Sequence, residues 1–201
     1  MKEPVGRPTE WIEGCLRAHA ALLADLNGLT DHQVAGPSLL PGWSVGHLLT
    51  HIARNCDSTT WRLEGSAIGE VRDQYPGGLE QRSGDIETGA HRSAVELVED
   101  VRTSAETLER VMATLSDGAW DGLSRGSTGF VGTSRFVVFS RWREVVVHHG
   151  DLGVFGPIPL PPDLVTAWLP SEIEDLAERT EPGKLLEWII GRGPAPTLRS
   201  W

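Results

Sequence analysis

Two cysteines, Cys15 and Cys56, are all that the 201 residues contain. That scarcity excludes a disulfide scaffold, so the chain has to fold on its own core, and its length favours one domain with a short appendage. The N-terminal MKEPVGRPTE lacks the apolar stretch of a secretion signal, which makes a reducing cytoplasm the expected setting. No apolar run approaches the roughly 20 residues of a bilayer-spanning helix, so the membrane is not an expected partner. Positive charge is short as well: 18 Lys and Arg stand against 28 Asp and Glu, for a net charge of -10 and a pI near 5.1. The overall field repels polyphosphate, which argues against nucleic acid, and an anionic ligand would require a local cationic patch. Internal repeats and low-complexity tracts are absent too.

What the sequence does contain is helical periodicity. From Thr9 to Leu26 the apolar residues recur at steps of three and four, with Pro8 and Thr9 as start signals. The run GPSLLPGW then breaks the chain, Ser44 is an N-cap, and Val45, Leu48, Leu49, Ile52, Cys56 and Thr59 stripe a second helix to about residue 64. Residues 65 to 90, rich in Gly and charge, read as an irregular crossover with a helical turn or two around LEQRSGDIETG. A third helix follows from Ala90 to Leu115, then a Gly-rich loop. Ser134 to Leu152 leaves almost no polar face and reads as a central buried helix, with a strand from Val145 to His149 as the competing reading. The expected fold class is all-α, an antiparallel four-helix bundle over residues 1 to 156. Prolines 157, 159, 161 and 162 open a connector, and residues 157 to 201 add two short helices, Leu164 to Arg179 and Lys184 to Gly191, before an extended end.

Three side chains on these helices have the chemistry of metal ligands: His51 in GHLLTHIARN, and Glu144 and His148 in RWREVVVHH. Residues four apart share a helix face, so Glu144 and His148 can converge on one ion, as can His47 and His51. Two imidazoles, a carboxylate and an open fourth position form the pattern of a catalytic zinc site. The residues alone leave a second reading open, in which the histidines are hydrogen-bonded core residues and Arg141 or Arg143 pairs with Glu144. His47 and His149 rank behind the three. His19, His32 and His91 read as surface or loop histidines, and Cys15 and Cys56 as packing residues.

The blocks LPGWSVGHLLTHIARN, EQRSGDIETGA and REVVVHHGDLG, with the tail word LLEWIIGR, resemble the mycothiol-dependent maleylpyruvate isomerase family, a branch of the DinB-like metal-binding four-helix bundles. The resemblance implies zinc held by His51, Glu144 and His148, with the fourth position open to water or to the thiol of mycothiol. It makes His47 a helix-start residue or a support of the ligands, and Asp151 a helix-end residue or a support of the ligands. Arg82, in the word EQR, matches a family arginine implicated in the active site and in holding the cofactor, and Arg192 in the tail word matches one that binds a substrate carboxylate. Members of the family carry a small α/β domain between the proline connector and the tail word. Here only a short stretch separates Pro162 from Leu185, so the C-terminal appendage is expected to be shortened and to lack those strands.

The implied activity is a cis-trans isomerisation of a maleylpyruvate-like acid, in which mycothiol adds to the double bond and leaves again. Partners would then be a small electrophilic substrate and a low-molecular-weight thiol, with the protein a monomer or homodimer. Three alternatives stay open: a mycothiol S-transferase, a thiol-free metal-dependent enzyme using bound water, and a non-catalytic metal-binding bundle.

Overall fold

The computed structural model describes residues 3–198 and divides into two compact units, Glu3–Pro159 and the segment from Leu160 onward. The first unit is built on four long helices: α1 (Thr9–Asp25), α3 (Val45–Ala67), α5 (Ala94–Thr114) and α6 (Ser134–Asp151). Between them lie a single-turn helix α2 (Asp31–Ala35) and the crossover helix α4 (Gly78–Gly89). The all-α expectation holds.

Local chemistry sets the helix starts. Ser44 caps α3 through its side-chain oxygen, which accepts from the His47 backbone N–H at 3.3 Å, while Nδ1 of His47 accepts from the Ser44 backbone N–H at 3.3 Å. His47 thus does the work that Glu or Gln does in a capping box. Ser93 and Glu96 form the same reciprocal pair at the start of α5, so that helix begins at Ala94 rather than Ala90. Thr133 caps α6, which is a helix throughout, and the strand reading of residues 145 to 149 is wrong.

Contacts along the helices give their directions. His51 and Ser66 of α3 meet Glu144 and Ser134 of α6, so these two run antiparallel. Gly46 and Arg54 of α3 meet Ala90 and Asp100 near and within α5, so these two run parallel. Trp11 and Gly14 of α1 meet Phe139 and Trp142 of α6, again parallel. The bundle therefore runs up, down, down, up, with antiparallel and parallel pairs alternating around it. The long crossover through α4 is what allows α5 to start again at the same end as α3.

That crossover is more ordered than its composition suggested. α4 has 12 residues, of which Ile86 is buried, and a two-residue strand β1 (Arg72–Asp73) precedes it. The Gly-rich loop after α5 also has structure: β2 (Leu123–Arg125) and β3 (Val131–Thr133) form an antiparallel hairpin, and β1 joins β2 in parallel. Strands this short carry too little periodicity to be read from sequence.

The core contains the expected stripes, including Leu22, Leu48, Leu49, Leu97, Leu108, Phe139 and Val145. Cys15 and Cys56 are fully buried and free, as expected of packing residues. His19 overturns its surface assignment: it is 1% exposed and faces the core with Ile12, Cys15 and Leu22. Its Nδ1 lies 3.0 Å from Glu109 and its Nε2 accepts from Nε of Arg141 at 3.2 Å. Arg141, also 1% exposed, donates to Ile52 O and Asn55 Oδ1, so it serves this core network rather than Glu144. In the second unit α7 (Pro162–Arg179) and α8 (Pro182–Ile189) are the two expected short helices, and no strand occurs among its described residues. No helix among the described residues is long and apolar enough to cross a membrane.

Candidate active site

α3 and α6 bring His51, Glu144 and His148 together. Nε2 of His51 lies 3.4 Å and Nε2 of His148 3.3 Å from the same oxygen of Glu144, and one potential ligand atom from each residue lies within 4.8 Å of the others. The imidazole centroids are 5.0 Å apart. This is the one such group among the described residues. Glu144 is not sealed in apolar surroundings, since a quarter of its side chain is exposed through a cavity of about 300 Å³.

Nδ1 of His148 lies 2.9 Å from Asp151, one turn on. A carboxylate in that position accepts a hydrogen bond from Nδ1 and holds the ring with Nε2 turned inward, the usual way a ligating histidine is oriented. His47 is not a fourth ligand: its Nδ1 is used in the cap and its Nε2 lies 3.2 Å from Glu87. His149, one position beyond His148, points around α6 and lies 3.0 Å from Asp25 of α1. His32 and His91 are exposed, as expected.

The electrostatics suit a cation. Burial alone would raise the Glu144 carboxyl, but hydrogen bonds and charge from His148 and His51 outweigh it and hold it well below the usual carboxylate range. Burial lowers His51, and Glu144 does not compensate fully. Burial would lower His148 too, but Glu144 and Asp151 together raise it. In this arrangement protons on both Nε2 atoms fill the gap between the imidazoles and Glu144. A divalent ion supplies that positive charge in the same place, so the residues fit one.

The fit asks for one adjustment. A guanidinium nitrogen of Arg82 donates to Nδ1 of His51 at 3.0 Å. That contact suits a His51 protonated on Nε2, whereas a metal on Nε2 leaves the proton on Nδ1, facing another donor.

Arg82, on α4, lies near two aromatic rings, 5.9 Å from the Trp43 centroid and 5.6 Å from that of Tyr75. Trp43 also meets His51 edge-on at 5.5 Å. Trp43, Tyr75, Gln74, Asn55 and Ser127 line the cavity with Arg82 and the three ligand-type residues. Among the described residues the lining comes from the unit Glu3–Pro159; Arg192 lies in the other unit, exposed, after α8.

Sequence reasoning missed Arg62, three turns beyond His51 on α3. It is 7% exposed, its Nε donates to Ser58 O at 3.3 Å, and among the described residues no carboxylate is in ion-pair contact with it. Burial pulls its pKa down to about 10, against smaller opposing effects of Tyr75 and Glu144. The signal was an arginine inside an otherwise buried helix face. Gln74, Tyr75 and Ser127 gave no signal, because only the fold of the crossover and the hairpin brings them to the site.

The family model for the mycothiol maleylpyruvate isomerase N-terminal domain matches residues 15–153, from within α1 to just past α6. The chain belongs to this family. A crystal structure of the mycothiol-dependent maleylpyruvate isomerase is similar with a TM-score of 0.79 at 20% identity, covering 100% of both chains. A histidine-to-alanine mutant of the mycothiol-dependent maleylpyruvate isomerase gives 0.73 at 22% identity, covering 83% of this chain and 70% of its own. YfiT from Bacillus subtilis, described as "a probable metal-dependent hydrolase with an unusual four-helix bundle topology", gives 0.60 at 16% identity over 76% of this chain and 90% of its own. At these identities the likeness is one of fold. No curated protein matches the chain by sequence.

Within the family frame the conspicuous words of the sequence acquire structural reasons. GHLLTH opens α3, and its Gly46 is required because a Cβ there would lie 2.2 Å from the Ala90 carbonyl. REVVVHHGD closes α6, placing Asp151 one turn after His148.

Proposed function

We propose that this mycothiol maleylpyruvate isomerase family member is a zinc- and mycothiol-dependent enzyme that isomerises a small cis-unsaturated acid of the maleylpyruvate kind. The observation that carries the reading is the convergence of two imidazole Nε2 atoms on one Glu144 oxygen at the edge of a cavity. In this reading His51, Glu144 and His148 would hold the metal, and the chemistry it would supply when bound is to favour the thiolate form of a thiol at neutral pH. The thiol has to come from outside the chain: Cys15 is fully buried, and burial pushes its thiol up to about 12, while Cys56 is buried and raised as well.

The protein's own groups bind and orient. Asp151 fixes the His148 ring, and Arg82, close to Trp43 and Tyr75, is the cation that takes a substrate carboxylate. Trp43 and Leu40 give the cavity an apolar wall. This local cationic patch answers the overall charge of -10, which would otherwise repel an acid. The functional unit we assign is the bundle up to residue 156, followed by the proline connector and the C-terminal helical segment, and its setting is the cytoplasm.

The reading is tested by thiol balance. The metal-loaded protein is incubated with mycothiol and a cis-4-oxo-enoic acid, and products and thiol are measured by mass spectrometry. Trans product with the thiol undiminished is expected. Stoichiometric loss of mycothiol into an adduct would make the protein an S-transferase, and turnover unaffected by leaving the thiol out would make it a metal-water enzyme.

A further inference from the structure

The chain has a single tyrosine, Tyr75, and its hydroxyl is held in an unusual way. Arg82 Nε donates to it at 3.3 Å, and an arginine nitrogen can only donate. Gln74 Nε2 also lies 3.3 Å from it. The orientation of that amide is fixed from its other end, because Gln74 Oε1 accepts the Ser127 backbone N–H at 2.9 Å. Nε2 is therefore the end facing the phenol, and it donates too. Both incoming hydrogen bonds use the oxygen's lone pairs, and no acceptor among the described residues takes the hydroxyl proton.

That leaves one O–H with nothing to donate to, on a side chain that lines the cavity beside the triad. The guanidinium joining them is short: Arg82 reaches His51 with one nitrogen at 3.0 Å and Tyr75 with another at 3.3 Å. Arg62, buried and without a carboxylate partner among the described residues, adds a second positive charge that bears on Tyr75 and on Glu144. A proton donor backed by two cations is built to face an anion.

We propose that Tyr75 is a catalytic residue, the hydrogen-bond donor to the carbonyl oxygen of the substrate as that oxygen becomes anionic. This rests on the isomerase reading above. When a thiolate adds to the alkene carbon β to a ketone, a C–S bond forms and the π electrons move onto the ketone oxygen as an enolate. The former double bond rotates as a single bond, and expulsion of the thiolate restores the alkene with no net change in atoms, protons or electrons. The Tyr75 proton stays on the phenol and shortens its hydrogen bond as the enolate charge grows, which stabilises the transition state more than the ground state. Gln74, which follows β1 directly, and the β1–β2–β3 sheet beside it are positioning elements: they hold the phenol with its lone pairs turned away from the substrate.

The test combines kinetics with a spectroscopic probe that Tyr75 alone supplies. Tyr75→Phe in the metal-loaded protein is expected to lower kcat about a hundredfold, the loss typical of one oxyanion donor, with KM within about threefold of wild type. Metal content and melting temperature stay unchanged. Separately, in protein carrying 13Cζ-labelled tyrosine, the single resonance shifts when a saturated 4-oxo acid, which binds but has no alkene to attack, is added. Unchanged kcat in the variant, or a raised KM with kcat kept, overturns the proposal. If wild type turns over nothing, the isomerase reading fails on its own, and the resonance then decides the Tyr75 assignment: a shift retains it as an oxyanion donor, and no shift ends it.

Discussion

Arg82 donates a hydrogen bond to Nδ1 of His51 over 3.0 Å, on the side of the ring opposite the nitrogen that faces Glu144. The contact selects the tautomer with its proton on Nε2, the one that a metal ion has to displace. Arg82 and a metal on Nε2 therefore compete for the state of one imidazole. Arg82→Met is expected to bind zinc about tenfold more tightly than wild type, since one charge-assisted hydrogen bond no longer has to be given up. Calorimetric titration of the metal-free proteins measures this, and weaker binding by the variant would make Arg82 a support of the site instead.

Asp151 works in the opposite direction. It orients His148 by accepting at Nδ1, 2.9 Å away. Asp151→Asn is expected to weaken zinc binding by roughly 10- to 100-fold, the usual loss for a carboxylate behind a ligating histidine, with little change in melting temperature. The same titration reads it.

The three ligand-type residues were legible because helical spacing puts Glu144 and His148 on one face, and the antiparallel α3/α6 pairing needed only to bring His51 opposite. The rest of the cavity was hidden for a physical reason. Gln74, Tyr75 and Ser127 lie on an irregular crossover and a three-residue-per-strand hairpin, whose placement depends on tertiary contacts. His19 was misread because a histidine on an apolar stripe gains its place from Glu109 and Arg141, which are far away in sequence. The parallel run of α3 and α5 was likewise invisible, since nothing local encodes the direction of a crossover.

His19 gives the bundle a pH dependence. Burial is the largest influence on it and lowers its pKa below 6.5, against the opposing hydrogen bond of Glu109. The unfolded chain binds this proton more readily than the folded one, so the contribution of His19 to stability is complete above about 6.5 and is lost as pH falls toward the folded value. Urea midpoints measured from pH 8 to pH 5 are expected to fall, and His19→Gln is expected to reduce that slope. An equal slope in the variant would assign the effect to His51 or His149, which burial also lowers.

Gly46 sits where α3 begins against the entry to α5. A Cβ at this position would lie 2.2 Å from a backbone oxygen, Ala90 O, that no side-chain rotation can move. Gly46→Ala is expected to cost about 2 kcal/mol of stability, within the usual range for overpacking, despite the better helix propensity of Ala. Chemical denaturation measures it, and an unchanged or increased midpoint would show that the two helix starts can separate freely.

The central claim is that His51, Glu144 and His148 hold a metal at which an external thiol is activated. The most direct measurement is the absorption spectrum of the cobalt(II)-substituted protein as mycothiol is added. A sulfur-to-cobalt charge-transfer band should grow to saturation at one thiol per metal, and it should be absent from His51→Ala treated in the same way. A cobalt spectrum that mycothiol leaves unchanged, or one that His51→Ala reproduces, would contradict the account.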